Sequence, residues 1–117
     1  MEKQPYDPQE MLPLSPITLH LLVSLLEGHI HGYAMMKATK DRTKGKMRLG
    51  PTTLYRTIRR MVDSGLICDL DEQAAHEPDE KRRYYKMTEF GHDVFNAEVQ
   101  RLIEMLGYLA AAKESSL

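Results

Sequence analysis

The feature that most constrains this chain is a change of hydrophobic period at Gly65. Before it, Leu54, Ile58, Met61 and Val62 recur at helical spacing and make one apolar stripe. After it the period drops to two, first in Leu66-Ile67-Cys68-Asp69-Leu70-Asp71 and again from Arg82 to Thr88. Beyond Thr88 it lengthens once more, with Phe95, Val99, Leu102, Leu106 and Leu109 at spacings of 4, 3, 4 and 3. A chain of 117 residues has room for one domain, so these helical and extended pieces must share a core.

Turn and cap residues set the boundaries. Pro5, Pro8 and Pro13 keep the first dozen residues out of regular helix and predict an arm over 1–14. Ser15-Pro16 reads as N-cap and first helical position, residues 17–26 are apolar on most sides, and Gly28 closes that helix. A second helix is predicted over about 31–43, with Tyr33, Met36, Ala34 and Met35 toward the core and Lys37, Lys40 and Arg42 toward water. The third runs from Gly50-Pro51 to Gly65 and carries Thr52, Arg56, Arg59, Arg60 and Asp63 opposite its stripe. In the first strand Leu66, Cys68 and Leu70 share the apolar side. Ten residues separate the two strands, and Thr88 caps the last helix with Glu89 in its first turn.

The fold class is therefore mainly α with a small β-hairpin (α+β). It is a winged helix-turn-helix over 15–88, followed by a long C-terminal dimerisation helix over 89–117. The seam of that helix, Phe95, Val99, Leu102, Ile103, Leu106 and Leu109, covers only about two heptads, fewer than an autonomous coiled coil needs. Its apolar face needs a partner, either the domain's own core or a second subunit.

The formal net charge is −1, but charge is unevenly placed. Between Lys37 and Arg60 nine basic residues face one acid, Asp41, a local charge of +8. Residues 69–80 hold six acids and no Lys or Arg, and Lys81, Arg82, Arg83 and Lys86 follow. A phosphate backbone responds to local positive potential more than to net charge. Recognition helix, lead-in loop and wing are basic together, which marks Lys37, Lys46, Arg48, Thr52, Thr53, Tyr55, Arg56, Arg59, Arg60, Lys81, Arg82 and Arg83 as DNA-binding candidates. Thr52 and Thr53 suit phosphates at a helix start. Arg56 and Arg60 can present a fork to guanine. Tyr55, at the stripe's edge, either packs in the core or reaches a phosphate, and Lys81, Arg82 and Arg83 place the wing against the backbone or in the minor groove.

Other chemistries find little support. His20, His29 and His31 match no metal-ligand spacing, and His31 beside Gly32 suits a helix cap. The single cysteine, Cys68, permits no internal disulfide and fits a reducing compartment. No glycine-rich phosphate loop, carboxylate pair or serine elbow occurs, so neither an enzyme nor a cofactor is expected. The longest apolar stretch is too short and too polar to span a bilayer, and the N-terminus lacks a signal peptide's apolar run. A cytoplasmic location is expected.

Leu26-Glu27-Gly28, His31-Gly32-Tyr33, Thr53-Leu54-Tyr55, Arg59-Arg60 and Gly65-Leu66-Ile67 together resemble the PadR family of transcriptional regulators. So does the run from Lys81 to Gly91, with its basic pair, two tyrosines and threonine turn. The resemblance covers about residues 14–109. It implies a homodimeric winged-helix repressor on a pseudo-palindromic operator, with a C-terminal helix exchanged across the dimer and release by a small aromatic or lipophilic effector. Where the family commonly has proline after Thr-Leu-Tyr, Arg56 stands here, and there is no tryptophan for a ligand to stack on. An effector pocket between subunits would draw on Tyr6, Met11, Phe95, Val99 and Ile103. The alternative is a winged-helix protein-interaction module without DNA binding, motivated by the acidic wing tip and near-zero net charge.

Overall fold

In the computed structural model, residues 7–70 and 83–116 are described. A short 3-10 turn at Pro8–Met11 precedes α1 (Pro16–Leu26), α2 (Gly32–Arg42), α3 (Pro51–Asp63), β1 (Ile67–Asp69), β2 (Tyr85–Met87) and α4 (Glu89–Ser115). The α+β winged-helix arrangement expected from the changes of period is present.

Local chemistry explains the boundaries. The Ser15 hydroxyl accepts the Thr18 N–H at 3.2 Å and Pro16 occupies the first turn of α1. At the other end Gly28 turns left-handed, at φ 95°, which lets the His29 N–H reach back to the Ser24 carbonyl. The Thr88 side chain accepts the Gly91 N–H at 2.9 Å and donates to the Gly65 carbonyl. One hydroxyl thus starts α4 and ties it to the end of α3.

Leu21, Leu22 and Leu25 of α1, Met35 of α2, Leu54, Ile58 and Met61 of α3, and Val94 of α4 make one core with Leu66, Ile67, Tyr85 and Met87. Each such side chain contributes about 1.5–3 kcal/mol on leaving water. Ile67 pairs with Met87 and Asp69 with Tyr85 in the antiparallel hairpin. A third extended piece joins it: the Tyr85 N–H donates to the Ile30 carbonyl, and His31 bridges Tyr84 with ring centroids 4.3 Å apart.

Three local expectations need correction. Tyr33 is 54% exposed, while Gly32, Met35 and Thr39 form the buried face of α2. The reason is close packing on α1, where Ser24 and Thr39 bring their hydroxyl oxygens within 3.5 Å; small groups suit that contact and a phenol does not. In β1 it is Ile67, opposite Met87, that faces the core, and Leu70 is exposed. Leu66 lies in the bend before the strand, so the alternation starts one residue later than the sequence suggests. His31 stands at the N-cap of α2 but makes no side-chain cap bond; its ring packs on Tyr84 instead.

The described part of the arm, residues 7–14, is tied to α4. Its backbone N–H at Leu14 donates at 2.8 Å to the carboxylate of Glu98, a residue 1% exposed on α4. Arg101 donates twice to the same carboxylate. These bonds hold the Glu98 carboxyl below the ordinary glutamate range, the Arg101 pairing first, against the opposing effect of burial. A second polar cluster joins α1 to α2. Arg42 donates to His20 Nδ1, to the buried Ser24 hydroxyl and to Glu27, at 3.1, 3.1 and 2.8 Å.

Candidate nucleic-acid interface

The apolar stripe of α3 rotates one set of side chains inward, so its other face is fixed by default. Leu54, Ile58 and Met61 are buried, and Thr52, Thr53, Arg56, Arg59, Arg60 and Asp63 are all exposed. Gly50 supplies no side-chain cap and Pro51 has no N–H, so the first-turn amides of α3 meet no capping oxygen. Hydroxyls, open amides and three guanidiniums thus line one helix face, an arrangement suited to phosphate oxygens and base edges.

Several cations of the described residues hold carboxylates and others do not. Arg42 holds Glu27 at 2.8 Å, Arg83 holds Asp69 at 2.6 Å, and Arg101 holds Glu98. Lys37 pairs with Asp41 at 3.2 Å, one turn apart and well exposed, where an ion pair is worth little. By contrast, Arg56, Arg59 and Arg60 pair with no acid among the described residues, and neither do Lys46 and Arg48 of the lead-in loop. Among the described residues Arg48 bonds the Gly45 carbonyl alone, at 3.2 Å.

Two sequence candidates sit differently from the rest. The Tyr55 hydroxyl is buried, and the ring lies where a Cβ on Gly32 would come within 2.9 Å of it. Of the two places open to this phenol the core-side one is taken, so it joins α3 to α2 and does not present itself to a phosphate. Arg83 is half-buried with its guanidinium across the hairpin on Asp69, so it braces the wing. Lys81 and Arg82 lie outside the described residues.

Of the residues expected around an effector between subunits, Met11, Phe95, Val99 and Ile103 are described. Met11 lines a groove of about 480 Å³ with Leu14, Arg60, Met61 and Leu66, on the side of the arm that faces α3. None of the four described grooves is lined by Phe95, Val99 or Ile103. Phe95 packs on the domain's own core and Val99 is half-buried; Tyr6 lies outside the described residues. Further along α4, Leu102, Ile103, Leu106 and Leu109 are exposed, together with Met105 and Tyr108. No group of three or more His, Cys, Asp or Glu able to hold a metal occurs among the described residues. No described helix is long and apolar enough to cross a membrane.

A family model described as transcriptional regulator PadR-like family matches residues 21–97. The chain belongs to the PadR-like family. Its members are transcription regulators that bind DNA, and the chain is accordingly a regulator and not an enzyme. Solved structures agree on the fold. A structure of H. salinarum RosR grown from NaBr is 17% identical, with a TM-score of 0.64 over 92% of this chain and 99% of that one. The complex structure of hsRosR-S4 is 16% identical, with a TM-score of 0.66 over 94% and 98%. No curated protein matches this PadR-like chain.

Proposed function

We infer that this chain is a homodimeric, sequence-specific DNA-binding repressor that reads a pseudo-palindromic operator through α3. The observation that carries the reading is the division of cations. Arg42, Arg83 and Arg101 hold carboxylates, while Arg56, Arg59 and Arg60 stand exposed on one helix face without an acid partner among the described residues. Like charges three and four apart on one helix repel mildly, and a polyanion laid on that face relieves the repulsion. Arg56 and Arg60 take base edges, and Thr52, Thr53, Lys46, Arg48 and Arg59 take phosphates.

Dimerisation rests on α4. From Leu102 onward every described residue of that helix is exposed, and its large apolar side chains are turned to water. A soluble monomer rarely keeps so contiguous an apolar surface. On α1 a matching stripe is only partly covered: Leu19 and Val23 are half-buried and Leu26 is exposed, at spacings of 4 and 3. The distal half of α4 from a second copy, laid along that stripe and along its own counterpart, covers both. Two-fold symmetry then sets two α3 helices toward successive major grooves. A small lipophilic effector acting between the subunits would release DNA by favouring a spacing of those helices that misfits the grooves.

The test is neutralisation of α3. Arg56→Gln with Arg60→Gln should lower operator affinity by at least about 10²-fold, each base contact being worth about 1–3 kcal/mol, and should leave the sedimentation mass unchanged. Operator affinity equal to wild type would remove α3 as the reading element. A partner protein retained by that variant, with no DNA bound by wild type, would favour the interaction module.

A further inference from the structure

We propose that Thr88 is a positioning residue that fixes the direction of α4 against α3 and so sets the operator half-site spacing the dimer accepts; the proposal rests on the dimeric DNA-binding reading above. α3 and α4 are joined through a hairpin, yet the end of one is fastened to the start of the other. The Thr88 N–H donates to the Leu66 carbonyl at 3.0 Å. Its hydroxyl donates to the Gly65 carbonyl and lies 3.1 Å from that of Leu66, while accepting the Gly91 N–H at 2.9 Å. Gly91 closes the contact, since a Cβ there would lie 2.0 Å from the Leu66 carbonyl oxygen. A hydroxyl suits this position because it accepts from one helix and donates to the other.

Ten residues further on, Glu98 makes a second attachment, through the Leu14 N–H and Arg101. A helix rises about 1.5 Å per residue, so the two attachments lie about 15 Å apart and together fix the direction of α4. Gly91, Val94 and Glu98 are buried against the domain, whereas from Leu102 onward every described residue is exposed. Glu89–Ser115 is thus one continuous lever, with one half held by the domain and the other open to a second subunit. Released at Thr88, it pivots about Glu98. A tilt of about 10° then moves Leu109, about 16 Å beyond Glu98, by about 3 Å, close to the rise of one base pair, about 3.4 Å. Two-fold symmetry repeats the tilt in the second subunit, so the separation of the two α3 helices is sensitive to this one hydroxyl.

The experiment is binding of the full chain to the operator footprinted in its own upstream region, and to the same duplex with one base pair inserted or removed between the half-sites. Wild type should lose at least about tenfold on either change, because only one half-site then fits. Thr88→Asp keeps the N-cap, since a carboxylate accepts the Gly91 N–H, and loses the donor to α3, since an ionised carboxylate has none. It should keep the dimer mass and helical circular dichroism, bind the natural operator about three- to tenfold more weakly, and distinguish the three duplexes by less than about threefold. Thr88→Ser, which keeps both bonds, should retain wild-type discrimination. If Thr88→Asp loses its helical signal, Thr88→Gly takes its place with the same expectation, because glycine is tolerated at an N-cap and brings no donor. Discrimination unchanged in the variant, with or without an equal loss of affinity for all three duplexes, would overturn the positioning role and leave the dimeric reading standing. So would unfolding of both variants, or a dimeric wild type indifferent to spacing. A monomeric wild type, or one that binds no duplex specifically, would overturn both.

Discussion

The Glu98 carboxylate receives the Leu14 backbone N–H at 2.8 Å while only 1% of Glu98 is exposed. This bond joins the arm to α4 over 84 residues of sequence, and Arg101 supplies the compensating charge. Glu98→Ala leaves a part-buried amide without its acceptor and Arg101 without its acid, and should cost about 2–4 kcal/mol. The pH dependence has a definite sign. The folded carboxyl is held below its ordinary value, so its contribution is full above about 4.5 and is lost as pH falls through the lower folded value. Urea melts in steps from pH 7 down to about pH 3 should show, for wild type, a loss that sets in below about pH 4.5 and deepens as pH falls, and a smaller one for Glu98→Gln.

His20 predicts a separate transition at milder acidity. Burial, and then the charge of Arg42, hold its pKa below the ordinary 6.5, because a protonated ring would face a guanidinium across 3.1 Å. A histidine depressed in the folded state contributes stability above 6.5 that is lost as pH falls toward the folded value. Thermal stability should therefore decline between about pH 7 and pH 5.5. His20→Gln should flatten that decline, and an equally steep fall in the variant would assign it to another group.

Two glycines of α4 should respond in opposite directions. A Cβ on Gly91 would sit 2.0 Å from the Leu66 carbonyl oxygen and 2.8 Å from Met87 Cγ, whereas nothing lies within 4 Å of one on Gly107. Gly91→Ala forces α4 away from the α3–β1 turn and should destabilise by about 3 kcal/mol or more. Gly107→Ala improves helix propensity and should stabilise by roughly 0.5–1 kcal/mol. Chemical denaturation of the two variants side by side checks both.

If the exposed half of α4 is the subunit interface, charge there should separate the subunits without unfolding the domain. Leu102→Glu with Leu106→Glu should change the sedimentation mass from twice the 13.5 kDa chain to once. Helical circular dichroism should be largely kept, and operator affinity should fall as half-site cooperation is lost. A variant that remains dimeric would place the interface elsewhere.

Sequence patterning carried the fold further than it carried the site. The stripe of Leu54, Ile58 and Met61, the Ser15-Pro16 start and the Thr88 cap were all legible, because each follows from local spacing or capping chemistry. Tyr33 was misplaced because hydrophobicity alone puts a tyrosine inward, while the α1–α2 contact is set by the short Ser24 and Thr39. The pairing of Arg83 with Asp69 was not legible, because the two become neighbours only once the hairpin closes. Glu98 left one trace: an acid within the apolar seam, between Phe95 and Leu102 and three residues before Arg101. A charge at such a position has to be matched, and Arg101 is near enough in sequence to suggest the pair, but the Leu14 amide that also bonds it is remote.

The most direct test of the account is the affinity of the wild-type chain for a duplex from its own upstream region beside an unrelated duplex of equal length, over a range of salt. The account predicts specific binding at least about 10³-fold tighter than the control. It also predicts a steep fall with salt, reflecting several phosphate contacts per dimer. Equal affinity for both duplexes at every salt concentration would contradict it.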